Sequence, residues 1–463
     1  MKTFYITFLL LLFSRHCTAH NTDYTVQVDH INKSLQVKSC FQHAPKYLYS
    51  TSNSAWKLIE NIKWQDKPTE QYYGKIYLSE GEKGCISYSI NTSLVNKRLN
   101  NTRINQQHPH DSILKISDWL WKSSDFDRAS QSKITFLHKA GINVSTPWSL
   151  INRTTDKTEY SMMYTPDSWV GHIGFGEFEI IDLNISNSQI HLAIINGNNV
   201  FNKSSIIDWI TQMTNAVANI GNGFPLNELQ VMVLLLKGNN GAVPWGQVNR
   251  SGGSGVFFVV NPNSSHKELI ADWTAAHEFS HLLLPYTPDD RWLSEGFASY
   301  HQNISRARTG LLNEKSTWEK LLAGFERGQK AADKHNAPAL KYAKGRNRMQ
   351  MYWGGAVIAL KADVALQQKT NGHFTLSRAL DKLNDCCLDT AQEWTARETF
   401  ARLDKITNTR IFSQLYNQEV KYKSYPRYQQ LLKELGIKQN YYGRIYLDDT
   451  AEKAHIRKRI ING

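Results

Sequence analysis

Short alternating patterns of apolar and polar residues fill the first part of the chain. Segments such as YTVQVDH, from Tyr24, and GKIYLSE, from Gly74, place an apolar residue at every second position, and Asn, Gly and Ser clusters separate them. A period of two is typical of strands that bury one face. Because these strands follow one another closely, the pattern predicts an N-terminal β-sandwich-like domain over residues 20–200.

The pattern changes to a helical period after residue 200. The segment SSIIDWITQMTNAVANIG, from Ser204, repeats apolar residues at helical spacing behind a Ser cap, and ELQVMVLLLK and GVFFVVNP are then typical of buried strands. We expect a multidomain α+β protein with a mixed domain over 201–310 and a C-terminal all-helical domain over 311–463. Beyond Lys267 nearly every segment has a helical period, and helices are predicted over 267–284, 290–307, 316–331, 349–369 and 375–383.

The first twenty residues, MKTFYITFLLLLFSRHCTAH, have the pattern of a secretory signal peptide. Lys2 is basic, an apolar run extends from Phe4 to Phe13, and small residues precede a cleavage point after Ala19. The predicted signal peptide therefore spans residues 1–19, and the mature protein is expected to be periplasmic or secreted. The apolar run is too short for a stable membrane span, and no later run approaches twenty apolar residues.

Composition and net charge say little about which class of molecule the protein binds. Hydrophobic residues make up 41% of the 463 residues and aromatic residues 11%, which is typical of a folded globular protein. The net charge of +13 favours contact with anionic groups. However, the basic residues are scattered and do not interleave with aromatic residues, so no nucleic-acid partner is predicted.

Four cysteines follow the predicted cleavage point. Export permits disulfides, and Cys40 with Cys85 is the expected pair because both lie in the N-terminal region. The adjacent Cys386 and Cys387 are interpreted either as a vicinal bridge or as two buried thiols, with the second interpretation favoured. None of the four has the spacing of a zinc-binding cysteine pair.

The segment HEFSH, from His277, carries the strongest chemical signal in the sequence. Residues four apart on an α-helix project from the same face, so His277 and His281 can point both imidazoles at one ion. Glu278 is placed beside that ion, where a general base can take a proton from zinc-bound water. Glu295, on a second predicted helix, is the candidate third ligand, so the sequence predicts one catalytic zinc ion per chain with an open fourth position.

HEFSH followed by WLSEGFASY, from Trp292, resembles the gluzincin metallopeptidases, specifically the aminopeptidase N family and the related glycyl aminopeptidase family. The resemblance implies a thermolysin-like catalytic domain over 201–310, in which His277, His281 and Glu295 bind zinc and Glu278 is the catalytic acid/base.

A second resemblance lies further along the chain. The segment MYWGGAVIALKADVALQQKTNGHFTLSRALDKL, from Met351, is similar to the helix that these families carry as Y-x-K-G-A, and its continuation favours the glycyl aminopeptidase branch, without a recognisable PDZ domain. This resemblance implies that the Tyr352 hydroxyl stabilises the oxyanion of the tetrahedral intermediate. Donors aimed at such a developing charge lower the barrier substantially.

The chain departs from the family pattern in three places. Thirteen residues separate His281 from Glu295, which is a shorter spacer than both families have, and the lysine of Y-x-K-G-A is absent. The families also carry a Gly-Gly-x-Glu element, whose Glu binds the α-amine of the substrate, on the strand before the zinc helix. The corresponding segment here is SGGSGVFFVV, so the predicted substrate-binding residues are Gly252, Gly253, Ser254 and Gly255.

The missing glutamate matters for specificity. Gly255 stands at the position expected to hold Glu, and glycine cannot bind an ammonium group. Two possibilities follow: internal cleavage of peptides, or recognition of the amine by another acid, for which the candidates are Asp289, Asp290 and Glu268.

The sequence therefore predicts an exported zinc metallopeptidase acting on a peptide or protein substrate, with exo- or endopeptidase specificity left open. Two alternatives stay open as well. One is a peptide-binding protein that keeps the metallopeptidase scaffold without cutting, and the other is a zinc hydrolase of a non-peptide amide or ester. The sequence does not predict an oligomeric state.

Overall fold

The computed structural model describes residues 22–92, 107–128, 130–238, 240–334, 338–387 and 392–463. The predicted signal peptide at 1–19 lies outside the described residues. The described chain combines an N-terminal β domain, a mixed domain around a five-stranded sheet, and a C-terminal domain that is almost entirely helical. The predicted multidomain α+β fold is therefore confirmed.

The N-terminal domain contains fourteen described strands and one short described α-helix. The strands are β1 (Tyr24–Asp29), β2 (Ser34–Phe41), β3 (Tyr47–Tyr49), β4 (Ile59–Trp64), β5 (Lys67–Pro68), β6 (Lys75–Tyr77), β7 (Gly84–Asn91), β8 (Ser112–Lys115), β9 (Lys122–Ser123), β10 (Gln131–Leu137), β11 (Asn143–Ser145), β12 (Ser149–Arg153), β13 (Lys157–Met163) and β14 (His172–Gly176), and the helix α1 (Ile116–Trp119) follows β8. The domain is built around an eight-stranded sheet with the order β12-β13-β10-β1-β2-β7-β4-β5, accompanied by three-stranded sheets β11-β14-β8 and β6-β3-β9. Burial alternates along β1 and β2, as the period of two predicts.

The five-stranded sheet consists of β15 (Glu179–Ile185), β16 (Ser188–Ile195), β17 (Glu228–Leu235), β18 (Trp245–Asn249) and β19 (Gly255–Val260). Its order is β15-β16-β17-β19-β18, so it includes strands from both sides of residue 200. Both of its faces are buried: Val231 and Val233 of β17 pack towards the helices, whereas Met232 and Leu234 pack towards the N-terminal domain. This explains the continuous apolar run of β17, because a strand covered on both sides needs no alternation.

Helices cover one face of this sheet and form the C-terminal domain. The helix predicted over 267–284 is divided in the structure, because Asp272 ends the first segment and its carboxylate accepts the main-chain NH of Thr274 at 2.7 Å. A small hairpin, β20 (Ile437–Gln439) and β21 (Ile445–Leu447), is an addition to the predicted helices. The helices are α2 (Lys203–Ala218), α3 (His266–Ala271), α4 (Thr274–Ser280), α5 (Arg291–Arg308), α6 (Glu314–Lys334), α7 (Arg348–Lys369), α8 (Leu376–Cys387), α9 (Ala396–Thr407), α10 (Ile411–Leu415), α11 (Gln429–Glu434) and α12 (Ala454–Asn462).

The two cysteine pairs have different outcomes. Cys40 and Cys85 face each other across β2 and β7 and form the expected disulfide. Cys386 and Cys387 also form a disulfide, and Cys386 is exposed at the end of α8. The favoured interpretation of two buried thiols was therefore wrong, because this part of the helix faces solvent and the adjacent sulfurs are bonded.

No helix in the described part of the chain is both long and apolar enough to cross a bilayer.

Helices α5 and α7 cross at two glycines, which brings their backbones into direct contact. A Cβ atom added at Gly296 would lie 2.3 Å from the Cα of Gly355, and one added at Gly355 would lie 2.1 Å from the main-chain oxygen of Trp292. These clashes involve backbone, which cannot move aside as a side chain can. The crossing holds Tyr352 of α7 opposite Glu295 of α5, so it positions both predicted site residues.

We expect Gly355→Ala to destabilise the protein by about 1–3 kcal/mol, the usual cost of overpacking a core, although alanine is the better helix former. Urea unfolding measures this difference. Gly354→Ala is the matched control, because its added Cβ would meet only side-chain atoms of Leu340, at 3.0 Å, and of Tyr425. Equal stability of the two variants would contradict the proposed role of the crossing.

Candidate active site

Three side chains from two packed helices converge on one point. His277 lies on α4, His281 opens the 3-10 turn that follows it, and Glu295 lies on α5. The Glu295 Oε2 atom is 3.2 Å from His277 Nε2 and 3.5 Å from His281 Nε2. All three predicted metal ligands are thus brought together, although they come from segments separated by a loop.

The spacing of these atoms fits a zinc ion. Zinc–ligand bonds of 2.0–2.1 Å in a tetrahedron place the ligand atoms about 3.3–3.4 Å apart, and the two distances above lie on either side of that value. Two imidazole nitrogens and one carboxylate oxygen are also a donor set of catalytic zinc sites, in which the fourth position is left to water or substrate.

Neighbouring groups fix the orientation of each ligand. His277 Nδ1 donates to Gln302 Oε1 at 2.8 Å, and His281 Nδ1 lies 2.9 Å from Ser294 Oγ, so both Nε2 atoms face the ligand point. Burial tends to raise the pKa of Glu295, but hydrogen bonds from both histidines outweigh it and hold that pKa far below its usual value. The carboxylate is therefore ionised, as a ligand must be.

Replacing Gln302 by Leu is expected to weaken zinc binding by about 10–100-fold, since the His277 ring would lose the acceptor that fixes its tautomer. Competition with a chelator measures the zinc Kd. Gln367→Leu is the matched control, because Gln367 is an equally buried amide that contacts Asp363, outside the site. If both variants bound zinc as tightly as the parent, Gln302 would have no part in holding the metal.

Glu278 lies next to the ligands. One ligand atom from each of His277, Glu278 and His281 lies within 4.8 Å of the others. Burial raises the pKa of Glu278, against the opposing effect of the two histidines. The carboxylate fits there because Gly246 of β18 faces it: a Cβ at position 246 would lie 2.7 Å from Glu278 Cγ. A carboxylate with a raised pKa beside a metal position can both take and return a proton.

Tyr352 reaches the same point from α7. Its ring stacks on that of His277 with centroids 5.8 Å apart and planes 3° apart, and its hydroxyl is close enough to Glu295 for the charge of that carboxylate to act on it. Burial, followed by the charge of Glu295, raises the pKa of Tyr352, so the hydroxyl keeps its proton. A neutral phenol at this place is a hydrogen-bond donor aimed at the metal position.

An open cleft of about 470 Å³ gives access to the site. One wall is β18, an edge strand of the five-stranded sheet that pairs only with β19 among the described strands, so an extended peptide can add to its free side. The cleft is lined by Trp169, Val170, Trp245, Gly246, Gln247, Val248, Arg250, Glu278, His281, Tyr286, Thr287, Pro288, Arg291, Ser294, Glu295 and Tyr352.

None of the four predicted substrate-binding residues lines this cleft, although Ser254 lines an adjoining cavity of about 310 Å³. Gly252 and Gly253 pack against the N-terminal domain, where a Cβ at 252 would meet the Trp148 ring and one at 253 would meet the Pro147 oxygen at 1.9 Å. Gly255 is buried inside the sheet, opposite Asn249 of β18. Their close backbone approach serves domain packing, and the strand beside the metal position is β18 instead of the predicted segment.

None of the three acids suggested as an alternative amine anchor lines the cleft. Asp289 is exposed, and Glu268 closes the capping box at the start of α3. The carboxylate of Asp290 accepts from Trp292 Nε1 at 3.1 Å and from the main-chain NH of Ala396 at 2.7 Å, so it holds two helix starts together. The acids that do line the cleft are Glu278 and Glu295.

Two arginines of the cleft were not predicted from the sequence. Arg291 donates to Glu295 Oε1 at 3.0 Å. Because Arg291 lies four residues before Glu295 on a predicted helix, this ion pair could have been predicted from the sequence. Arg250 follows β18 directly, and no local pattern marks it, because its neighbours come from distant parts of the chain.

No family model and no curated protein sequence matches the chain. Several solved structures do match the chain.

An aminopeptidase N family protein from Idiomarina loihiensis has a TM-score of 0.68 at 13% identity, over 90% of this chain and 79% of its own chain. An M1 zinc metallopeptidase mutant from Deinococcus radiodurans, bound to a Tyr-Ser-Ala substrate, has a TM-score of 0.52 at 11% identity over 88% and 95%. Yeast LTA4 hydrolase has a TM-score of 0.56 at 11% identity over 90% and 70%. The chain therefore has the fold of these metallopeptidases, and the predicted resemblance is confirmed at the level of the fold.

Proposed function

We propose that the protein is a zinc-dependent metallopeptidase that hydrolyses peptide bonds in the cleft beside β18. The observation that carries this proposal is the convergence of His277 Nε2, His281 Nε2 and Glu295 Oε2, with Glu278 next to them and an open cleft in front. The solved structures of similar fold include zinc metallopeptidases, one of them with a bound peptide, which supports the same function.

In this proposal the two histidines and Glu295 hold one zinc ion. When bound, zinc polarises the scissile carbonyl and makes water acidic enough to attack at neutral pH. The Glu278 carboxylate takes the proton of the attacking water and returns it to the nitrogen of the leaving amine. The Tyr352 hydroxyl donates a hydrogen bond to the oxyanion that develops on the carbonyl oxygen. Arg291 keeps Glu295 oriented through their 3.0 Å ion pair.

Export is part of the proposal, because the Cys40–Cys85 disulfide is of a kind that persists in oxidising compartments. The protein would then act in a periplasm or outside the cell.

Cleavage profiling by mass spectrometry tests the function directly. The mature chain, starting at His20 and loaded with zinc, is incubated with a mixed peptide library in parallel with a Glu278→Gln variant. We expect new peptide ends with the parent only, and their positions distinguish removal of terminal residues from internal cuts. Identical product patterns would contradict peptide hydrolysis and favour the peptide-binding or non-peptide alternatives.

A further inference from the structure

Arg250 is a cation in the wall of the cleft, and no acidic side chain among the described residues neutralises it. Its Nη2 donates to the main-chain oxygen of His281 at 2.9 Å, and its guanidinium lies over the Tyr286 ring, 5.7 Å from the centroid. In the part of the chain that the structure describes, no Asp or Glu forms an ion pair with it. The guanidinium is thus held in place by a main-chain oxygen and an aromatic ring, but its positive charge is not balanced by a described carboxylate.

The other charges of the cleft are already committed. Arg291 pairs with Glu295, and Glu295 also faces both metal-binding histidines. Arg250 also reaches an adjoining cavity of about 310 Å³, which two acids line. Asp381 is occupied by hydrogen bonds from the main chain and side chain of Asn222 at 2.9 and 2.7 Å, and Asp385 is exposed and forms no ion pair with Arg250 among the described residues. Glu278 is assigned to proton transfer, so among the described groups that line the cleft Arg250 is the cation left to bind a ligand carboxylate.

The surroundings of Arg250 strengthen its attraction for an anion. It is half-buried, and Trp169 and Tyr286, which pack edge to face at 5.1 Å, line the same two cavities. The guanidinium of an arginine stays charged at neutral pH. An unpaired charge in a partly apolar wall is costly for the folded protein, and its pull on an opposite charge is larger there than in water. The planar guanidinium matches a carboxylate with two parallel hydrogen bonds.

We propose that Arg250 binds a carboxylate of the substrate, so that the cleft selects peptides with an acidic side chain or a free C-terminus near the scissile bond instead of peptides anchored by a free α-amine. The inference rests on the proposed peptidase function. Because Arg250 is bonded to the main chain of His281, the bound carboxylate would lie within about two residues of an extended substrate from the bond that is cut.

Two pairs of peptides of equal length test the proposal and separate the two sources of the carboxylate. The first pair differs only by Glu or Gln at each position flanking the scissile bond and has an amidated C-terminus. The second pair has neutral side chains and ends in either a free acid or an amide. We expect the zinc-loaded parent to prefer the carboxylate member of at least one pair by about 10–100-fold in kcat/KM, the range of a hydrogen-bonded charge pair.

Arg250→Met is expected to remove that preference, so that the ratio of kcat/KM between the carboxylate and neutral members of each pair falls to about one, whatever the substitution does to the neutral members themselves. The matched control is Arg378→Met, because Arg378 also donates to a main-chain oxygen, at 3.0 Å, and lies 5.7 Å from a ring, that of Phe374, but is outside the cleft. Arg378→Met should keep the preference. Zinc content and unfolding midpoints verify both variants, and if Arg250→Met does not fold, Arg250→Lys should still lower the preference because it lacks the paired donors.

A parent without preference for either carboxylate, or a preference that survives Arg250→Met, would overturn the proposal. If the parent cleaves no peptide at all, the proposed function fails separately. Calorimetric binding of the same four peptides to the zinc-loaded parent and to Arg250→Met then decides the role of Arg250, with tighter binding of a carboxylate member by the parent alone as the supporting result.

Discussion

Glu278→Gln is expected to keep one zinc ion per chain and to lower kcat by about 10²–10⁴-fold, the usual contribution of a positioned general acid/base. Gln has the same shape as Glu, so the tight contact with Gly246 is preserved and the three metal ligands are untouched. What the variant loses is the ability to take a proton. Metal content by mass spectrometry and kcat on a peptide identified by profiling measure the two quantities.

A surface carboxylate provides the control for this prediction. Glu319 pairs with Lys315 on the exposed side of α6, and Glu319→Gln should leave both zinc content and kcat unchanged. Should Glu278→Gln turn over peptide at the rate of the parent, Glu278 would not be the proton carrier, and the mechanism would have to be abandoned. If the variant lost its zinc as well, the loss of activity would indicate a structural role instead.

The candidate metal site could be predicted from the sequence because its main signal is local. His277 and His281 are four residues apart, and helical geometry alone places them on one face. Glu295 could be predicted as the third ligand because the segment around it also has a helical period and follows a short loop. The helices of the C-terminal domain were predictable for the same reason, since their apolar residues repeat with the period of the structure they form.

The cleft was less predictable because its walls are assembled from distant segments. The edge strand β18 is only five residues long, and its residues do not alternate clearly between apolar and polar. Arg250 follows it without any periodic signal. The glycines at 252 and 253 suggested close approach to a substrate, but the close approach that they allow is to the N-terminal domain. The glycines in the sequence indicate that the backbone is closely approached there, but only the fold shows which part of the molecule approaches it.

Tyr352→Phe is expected to lower kcat by about 10²–10³-fold, the range for removing one oxyanion donor, with little change in KM or in the zinc Kd. The ring, which stacks on His277, is retained, so the change removes only the hydroxyl. That hydroxyl is near Glu295, which offers a competing explanation, namely that its only role is to orient this ligand. The two roles predict different measurements, because a merely orienting hydroxyl would weaken zinc binding and leave kcat of the zinc-saturated variant intact.

Tyr300→Phe separates these effects from the general cost of removing a buried hydroxyl. Tyr300 lies on α5 with Glu295, and its hydroxyl donates to the Asp363 carboxylate at 2.8 Å, so it reproduces the tyrosine–carboxylate contact away from the metal position. This control should lose stability while its kcat stays at the parent value. A Tyr352→Phe enzyme with parent kcat at saturating zinc would assign the tyrosine to packing and ligand orientation, and the oxyanion would then need a donor from elsewhere in the cleft.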